Sequence, residues 1–382
     1  MIRSSMMWRT AALTAAAALA LSACGSDSDD NSSGSSGDEC GNYKIAFMGA
    51  LTGDAGALGQ NMLGGVKLAL DEYNKDHSDC EVTVADFDSQ GDPKVAPGLA
   101  TQIVADDSIV GLVGPGFSGE SLATGKTFFE AGLPSISPSA TNVTITEQGW
   151  TTWHRVIGND SAQGAAAASY LTGDLGATKV FIVDDGQDYS KGLATVVKDT
   201  LGSAVAGTDQ IQVGQTDMSA TVTAVKSSGA DAIFYGGYYA EAGLLVKQLR
   251  NAGFKGTFMS GDGSEDPAFV KAAGAQAAEG AILTAPAGPA PADFNEKYKA
   301  VNSSDAGLYS TQAYDATNIF LAAIEDGKTD KEALNEFVGS YTGDGVSGPI
   351  AFDENGDIEE SVIYAYKVAN GKLDTANPTA IK

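Results

Sequence analysis

Tyr43-Lys44-Ile45-Ala46-Phe47-Met48-Gly49-Ala50-Leu51-Thr52-Gly53 opens the folded part of the chain. The centre of this stretch is apolar at consecutive positions, which suits a strand buried on both faces rather than one. Glycines then run to Gly59, after which Leu63, Val66, Leu70 and Tyr73 recur at spacings of 3, 4 and 3, the repeat of one helix face. Residues 82–87 are a second apolar run of strand length. Two buried strands joined through a helix must run parallel, because a tight turn can only join antiparallel neighbours. The stretch therefore commits the chain to a parallel sheet covered by helices.

The alternation continues outward from there. Ile109–Val113 and residues 134–137, 179–183, 231–235 and 281–283 read as strands. Val222 with Val225, and Leu244, Leu245 and Leu249, lie on helical stretches between them. The series restarts at residues 178–184, after an alanine-rich helix around 165–171. The expected class is α/β, with two doubly wound parallel-sheet lobes and a ligand cleft between them. No long Pro/Gly linker separates the two series, so several short crossings are expected to join the lobes.

The chain has 382 residues, 49 acidic and 23 basic side chains, and a net charge of −26. Such a balance repels phosphate backbones and excludes nucleic acid as a partner. Two histidines and three cysteines do not make a typical multi-histidine or four-cysteine metal site. At the start of the chain, Arg3 and Arg9 precede an apolar run over residues 11–21, broken only by Thr14. That run is shorter than the ~20 residues a bilayer span needs, so residues 1–23 read as an export signal. Leu21-Ser22-Ala23-Cys24 resembles the bacterial lipobox, which predicts a lipidated Cys24; an ordinary signal with an incidental cysteine is the alternative. Residues 24–42 then form a Gly/Ser/Asp tether. In an oxidising compartment Cys40 and Cys80, each just ahead of a predicted strand, are expected to pair as a disulfide, with two buried thiols as the alternative.

Ligands of open parallel sheets bind beyond the carboxyl ends of the strands, and here hydroxyls, tyrosines and carboxylates cluster at those ends. Ser118 follows one strand where a helix begins, and Thr141 follows another. A helix start with a hydroxyl suits a carboxylate. Asp262, between Gly261 and Gly263, and the tyrosines of the second series suit an ammonium group. Taken singly, Ser118 also reads as a helix cap, and Thr141 and Asp262 as turn residues; the joint placement is what points to a site. Enzymatic motifs fail one by one. Gly119 to Thr127 has five residues between its glycines where a phosphate loop needs four. Gly116-Phe117-Ser118-Gly119-Glu120 has Glu120 where a nucleophile elbow needs glycine. His77 lies in a polar run and His154 between Trp153 and Arg155, so no base is available to a serine nucleophile. No catalytic constellation and no cofactor motif remain.

Ala50-Leu51-Thr52-Gly53, Gly98-Leu99-Ala100, Leu133-Pro134 with Ser137-Pro138-Ser139-Ala140-Thr141, and Tyr235-Gly236-Gly237-Tyr238 with Glu241 resemble the branched-chain amino-acid binding proteins of ABC importers. Tyr314-Asp315-Ala316, Gly348-Pro349-Ile350 and Phe352-Asp353-Glu354-Asn355-Gly356 fit the same pattern, so the resemblance spans residues 43–370. It implies a type I periplasmic binding protein with three hinge crossings, near Gly158, Ala285 and Phe352. One lobe would hold residues 43–158 plus 286–351, the other 159–285 plus 352–382. It also implies roles for residues. Ser118 and Thr141 would hold the ligand carboxylate, partly through backbone N–H groups, with Ala140 also among the ligand-binding residues; the Ser139 carbonyl and Thr141 hydroxyl would help with the ammonium, and Asp262 would neutralise it from the other lobe. Tyr189, Tyr238 and Tyr314 would close over the ligand, with Leu58 and Phe117 bordering its side chain. Glutamate is common in the family where Asp262 stands, and an aromatic residue where Leu58 stands.

The expected function is a monomeric, lipid-anchored receptor on the outer face of the bacterial cytoplasmic membrane. It would capture a small apolar amino acid and deliver it to the membrane permease of an ABC importer. It is expected to be no enzyme and to need no cofactor. A receptor for an amide, urea or related small molecule, or the sensing module of a signalling system, is the alternative.

Overall fold

The computed structural model describes residues 42–382. The signal segment, Cys24 and Cys40 lie outside the described residues. The first sheet holds β1 (Lys44–Gly49), β2 (Thr83–Asp88), β3 (Ile109–Val113), β4 (Ser135–Ser137) and β5 (Trp153–Arg155), in the order β2-β1-β3-β4-β5 and parallel throughout. Ile45, Ala46, Phe47 and Met48 in β1 are wholly buried. Ile45 and Phe47 belong to one apolar cluster, Ala46 and Met48 to another, as expected of a strand covered on both faces.

The helix Gly56–Asp76 lies beside β1 and packs along the helix Ser310–Glu325, which comes from much later in the chain. A Cβ on Gly65 would stand 2.1 Å from the Ser310 carbonyl oxygen, so only glycine lets the two backbones approach this closely. The helices Ala292–Asn302 and Lys331–Gly339 join the same lobe; Tyr298 donates to the Asn61 carbonyl (3.1 Å), and Asn335 to that of Gly132 (2.9 Å).

The second sheet contains β6 (Val180–Asp184), β7 (Val205–Gln210), β8 (Ala232–Gly236), β9 (Thr257–Ser260) and β10 (Ile282–Ala285). A small hairpin, β11 (Thr342–Gly345) and β12 (Gly348–Ala351), follows on the first lobe's side, where Asp315 accepts from Val346 and Ser347 N–H. β13 (Ile363–Ala369), β14 (Lys372–Leu373) and β15 (Thr379–Ile381) then complete the second sheet in the order β14-β13-β10-β9-β8-β6-β7, with β15 on β13. The strands from β6 to β10 run parallel, but β13 is antiparallel to β10 and to both later strands. This sheet is therefore mixed at one edge, where a purely parallel one was expected. Short returns suffice for antiparallel neighbours, and the last segment is too short for another helical crossover.

The chain changes sheets between β5 and the helix Asp160–Thr172, between β10 and the helix Ala292–Asn302, and between β12 and β13. The last of these is spread over residues 352–362. Gly356 still accepts from Arg155 N–H in β5 (2.9 Å), and Asp357 still pairs with the Arg155 guanidinium. No helix among the described residues is long and apolar enough to cross a membrane.

Candidate functional site

The carboxyl ends of both sheets face one crevice, and most of the predicted residues meet there. Leu58, Phe117, Ser118 and Ser139 from the first lobe and Tyr189, Tyr238 and Asp262 from the second line one small cavity, with Met62, Gly263 and Tyr309. Its volume is about 10 Å³, roughly the space of one water, so the walls are closed on one another. An outer chamber of about 520 Å³ shares Phe117, Tyr189 and Tyr238 with it and is rimmed by Asp54, Lys94, Asp188 and Glu241.

On the first wall, the helix Ser118–Glu130 begins directly after β3. Phe117 is its cap residue, extended at φ −130° and ψ 146°, so Ser118 is the first helical residue rather than the cap. The Ser118 hydroxyl accepts from Asn142 N–H at 3.2 Å. Ser139 donates to the Gly116 carbonyl (2.6 Å) and touches Met62 Sδ. Ala140 has both backbone groups engaged: its N–H donates to Ser137 Oγ (3.0 Å), and its carbonyl accepts from Arg155 (2.9 Å). Arg155 is fully buried and also donates to the Asn142 carbonyl and Thr146 hydroxyl, which pins the loop carrying Thr141. The Thr141 side chain is buried and lies beside the Asp160 carboxyl, whose ionised form it favours.

On the second wall, Asp262 opens a short 3-10 turn directly after β9. A Cβ on Gly263 would lie 2.8 Å from the Tyr189 ring and 2.9 Å from the Gly237 carbonyl, so glycine is what admits the tyrosine. Tyr189 donates to Asp262 Oδ1 at 2.6 Å and accepts from Gly263 N–H at 3.0 Å. Burial pushes the Asp262 carboxyl above the usual range, while hydrogen bonds from Tyr189, Tyr309 and Gln163 pull it part-way back. The Tyr238 ring stacks at a tilt on Tyr189 (centroids 5.3 Å apart) and on Phe117 across the crevice (5.5 Å).

Tyr314 is not at the site. Its hydroxyl donates to Glu72 Oε2 at 2.6 Å and its ring meets the edge of Phe294, both within the first lobe. Tyr309, five residues earlier, takes the place expected of it and donates to Asp262 Oδ2 from the opposite lobe. Tyr309 caps the helix Ser310–Glu325 in a left-handed conformation, φ 68°. Asp160 and Gln163, one turn apart on the helix Asp160–Thr172, were also missed, and both are fully buried. Burial, with the nearby Asp262 charge, pushes the Asp160 carboxyl up to about 8. Glu120, whose Oε1 accepts from the Ser89 hydroxyl, is likewise pushed up to about 8 by burial. Other bonds cross the crevice: Asn142 Nδ2 donates to the Asp188 carbonyl (2.6 Å), and Ala57 N–H to the Tyr239 hydroxyl (3.3 Å). No group of His, Cys, Asp and Glu among the described residues could hold a metal ion. Cys80 is engaged rather than free.

The crevice is thus lined by hydroxyls, phenols and one shared carboxylate. The family model described as periplasmic binding protein matches residues 42–372. The chain belongs to that family. Among curated relatives of this periplasmic binding protein is the Leu/Ile/Val-binding protein BraC3 of Rhizobium johnstonii, 32% identical over 87% of this chain and 93% of the relative. A leucine-, isoleucine-, valine-, threonine- and alanine-binding protein of Pseudomonas aeruginosa is 29% identical over 85% and 89%. The branched-chain amino-acid transporter substrate-binding protein LivJ of Streptococcus pneumoniae, solved with isoleucine, superimposes with a TM-score of 0.82 at 28% identity, over 89% of this chain and 99% of that one. The leucine-binding protein LivK of Thermotoga maritima gives 0.79 at 30%, over 88% and 98%. The fold is that of the type I periplasmic binding proteins, and these proteins are solute receptors rather than enzymes.

Proposed function

We propose that the protein captures a branched-chain or other apolar α-amino acid in this crevice and delivers it to the permease of an ABC importer. The observation that carries the reading is the pairing of walls. Ser118 and Ser139 line the crevice from the first lobe, with Thr141 buried two residues beyond Ser139, the carboxylate of Asp262 lies on the second, and Leu58, Met62 and Phe117 supply the apolar lining. In this reading the ligand carboxylate takes the Ser118 and Thr141 hydroxyls with backbone N–H groups at the helix start. Its ammonium faces Asp262, its side chain lies against the apolar lining, and Tyr189 and Tyr238 cover it. Ala140 contributes shape only, since its backbone groups are already bonded. The lobes, 43–158 plus 286–351 and 159–285 plus 352–382, would part about their three crossings to admit it.

Charge-assisted hydrogen bonds contribute about 1.5–3 kcal/mol each, and burying a Leu-sized side chain about as much. A few such contacts, less the cost of ordering the ligand and lobes, lead to affinities near micromolar, about −8 kcal/mol. The supporting neighbours are the relatives named for leucine, isoleucine and valine. Around this core we place the finer reading: a lipid on Cys24 tethering the body to the outer face of the membrane, and a Cys40–Cys80 disulfide.

The test is a thermal-shift panel of the twenty amino acids, urea, short amides and benzoate, with calorimetry on the hits. A true ligand at 100 times its dissociation constant stabilises by about 2.7 kcal/mol. Apolar amino acids should lead the panel. A ligand without an α-ammonium group that outranks all of them would overturn the reading.

A further inference from the structure

Three segments cross between the lobes, and the third is fastened to the first lobe well past the point where β12 ends. Phe352 pairs with Ile358 in an antiparallel bridge. Asp353 N–H donates to the Asp357 carbonyl (2.8 Å), and Glu359 N–H to the Ala351 carbonyl of β12 (3.0 Å), so residues 352–359 fold back as a tight turn. This turn lies on β5. Arg155 N–H donates to the Gly356 carbonyl (2.9 Å), and a Cβ on Gly356, at φ 86°, would stand 2.3 Å from the Trp153 carbonyl oxygen. Only glycine lets the turn sit so close to the strand.

From the turn, Asp357 reaches the wholly buried Arg155 and accepts from its Nε. The rest of the guanidinium points into the loop that leads to the crevice. One terminal nitrogen donates to the Ala140 carbonyl (2.9 Å) and the Asn142 carbonyl (3.0 Å), the other to the Thr146 hydroxyl (3.2 Å). Thr146 in turn donates to Asp357 Oδ2 (3.1 Å), which closes a ring of polar groups, and Asn159 Nδ2 joins the same oxygen from the first crossing (3.3 Å). A planar guanidinium fixes its partners at set angles, so two carbonyls and a carboxylate are held in one arrangement. The bracketed loop matters to both walls: Ser139 just before it lines the crevice, and Asn142 donates across it to the Asp188 carbonyl. Beyond Glu359 the crossings meet. A Cβ on Gly158 would stand 2.0 Å from Ser361 Oγ and 3.1 Å from the Pro286 Cβ, so all three touch at one point.

We propose that Asp357, acting through Arg155, is a positioning residue for ligand capture. It clamps residues 140–142 in their binding shape, and it moves the bend of the third crossing beyond Glu359, away from Phe352. Neither residue lines the crevice, so the effect passes through the loop. A loop fixed on folding needs no ordering when the ligand arrives. In an asparagine at 357, one end of the amide must face a donor, and the clamp is lost. The choice of leucine as probe rests on the amino-acid reading.

Asp357→Asn should weaken L-leucine roughly 10- to 100-fold in calorimetry, at a temperature where the variant is folded; this is the cost of re-ordering a residue or two of loop backbone at each binding event. Asp315→Asn is the matched control. It replaces another buried carboxyl group of the same lobe, one that holds the β11–β12 turn, so it should melt lower yet keep the parent's affinity. Hydrogen exchange in ligand-free Asp357→Asn should quicken at residues 140–146 and not in β1, whereas a merely structural role would quicken the whole lobe. On the parent protein, leucine should leave the protection of residues 353–359 unchanged, because the turn belongs to the first lobe with or without ligand.

Parent affinity in folded Asp357→Asn overturns the proposal, as does an equal loss in Asp315→Asn or exchange that quickens evenly through the lobe. Protection at 353–359 that rises when leucine binds overturns it as well, and that measurement needs no variant to fold. Absence of leucine binding to the parent sinks the amino-acid reading alone; the leading ligand of the thermal-shift panel then takes leucine's place in the same comparisons.

Discussion

Replacing Tyr309 with phenylalanine removes one oxygen and nothing else, yet that oxygen ties the two lobes through a buried carboxylate. The Tyr309 hydroxyl leaves the first lobe and donates to Asp262 Oδ2 on the second. A hydrogen bond to a charged acceptor contributes about 1.5–3 kcal/mol, so the closing equilibrium should fall roughly 10- to 150-fold. How this appears depends on the starting population. Apparent affinity is the affinity of the closed form multiplied by the fraction closed. If the free protein is mostly open, the full factor appears as weaker ligand binding. If it is mostly closed, affinity changes little, and the free protein opens instead. The two readouts trade against each other, so both must be taken: calorimetry for affinity, and small-angle scattering for the radius of gyration with and without ligand. The expected result is a change in at least one, with the ligand-saturated variant returning to the compact form. A variant within twofold of wild type in affinity and unchanged in radius of gyration would refute the role given to this bond.

Tyr314→Phe is the matched control: its bond to Glu72 lies within the first lobe, so ligand affinity should be unchanged in calorimetry while stability drops by about 1 kcal/mol. Glu120→Gln should change the pH dependence of stability. The Glu120 carboxyl is raised to about 8, so its contribution is fully present below the unfolded value near 4 and is lost as pH rises through 8. Urea melts should therefore find variant and parent similar at pH 4.5 and the variant more stable at pH 8.5, by up to roughly 4 kcal/mol; an equal gap at both pH values would contradict this. Cys80→Ser should cost roughly 4 kcal/mol if a bond to Cys40 closes that loop, and intact-mass measurement should find the parent two hydrogens lighter than its reduced form.

Residues that follow strands were legible, and residues that arrive by the crossings were not. Ser118, Ser139, Tyr189, Tyr238 and Asp262 each come shortly after a short apolar run, and the rule that ligands gather at strand ends locates them. Tyr309 follows no such run, and Asp160 follows β5, whose Trp-His-Arg sequence does not read as an apolar run. One caps a helix in the returning segment and the other begins a helix after the first crossing, so their approach to the crevice depends on how the lobes are joined. Tyr314 was chosen from the Tyr-Asp-Ala pattern, but that pattern has a different use: Asp315 holds the β11–β12 turn, and Tyr314 faces Glu72. β7 was missed because it is a half-exposed edge strand with a glycine inside it. The antiparallel edge of β13 to β15 was missed because only pairing partners distinguish it from a parallel one.

The closed crevice also bears on how transport could be coupled to capture. Besides the Tyr309–Asp262 bond, the lobes are joined by Asn142 to Asp188, Ala57 to Tyr239, and the Phe117–Tyr238 ring contact. Neutral hydrogen bonds contribute about 0.5–1.5 kcal/mol net, and an aromatic pair a similar amount. Together these lie within a few kcal/mol of what solvent offers the same groups when the lobes part. A cavity of about 10 Å³ cannot be filled without parting them, so a ligand must enter an open form and then compete for the same closure. Its advantage over the empty crevice has to come from groups that closure alone leaves unsatisfied. Asp262, whose carboxylate keeps acceptor capacity beyond its two phenolic bonds and which lines the crevice, is the charged member of that set. Discrimination between a filled and an empty receptor is thus expected to follow the ammonium end of the ligand more closely than its side chain. Comparing leucine with 4-methylpentanoate in the scattering experiment checks this. The acid without an amine should leave the open-to-closed balance nearly where it began, and full closure by it would show that side-chain burial alone drives the motion.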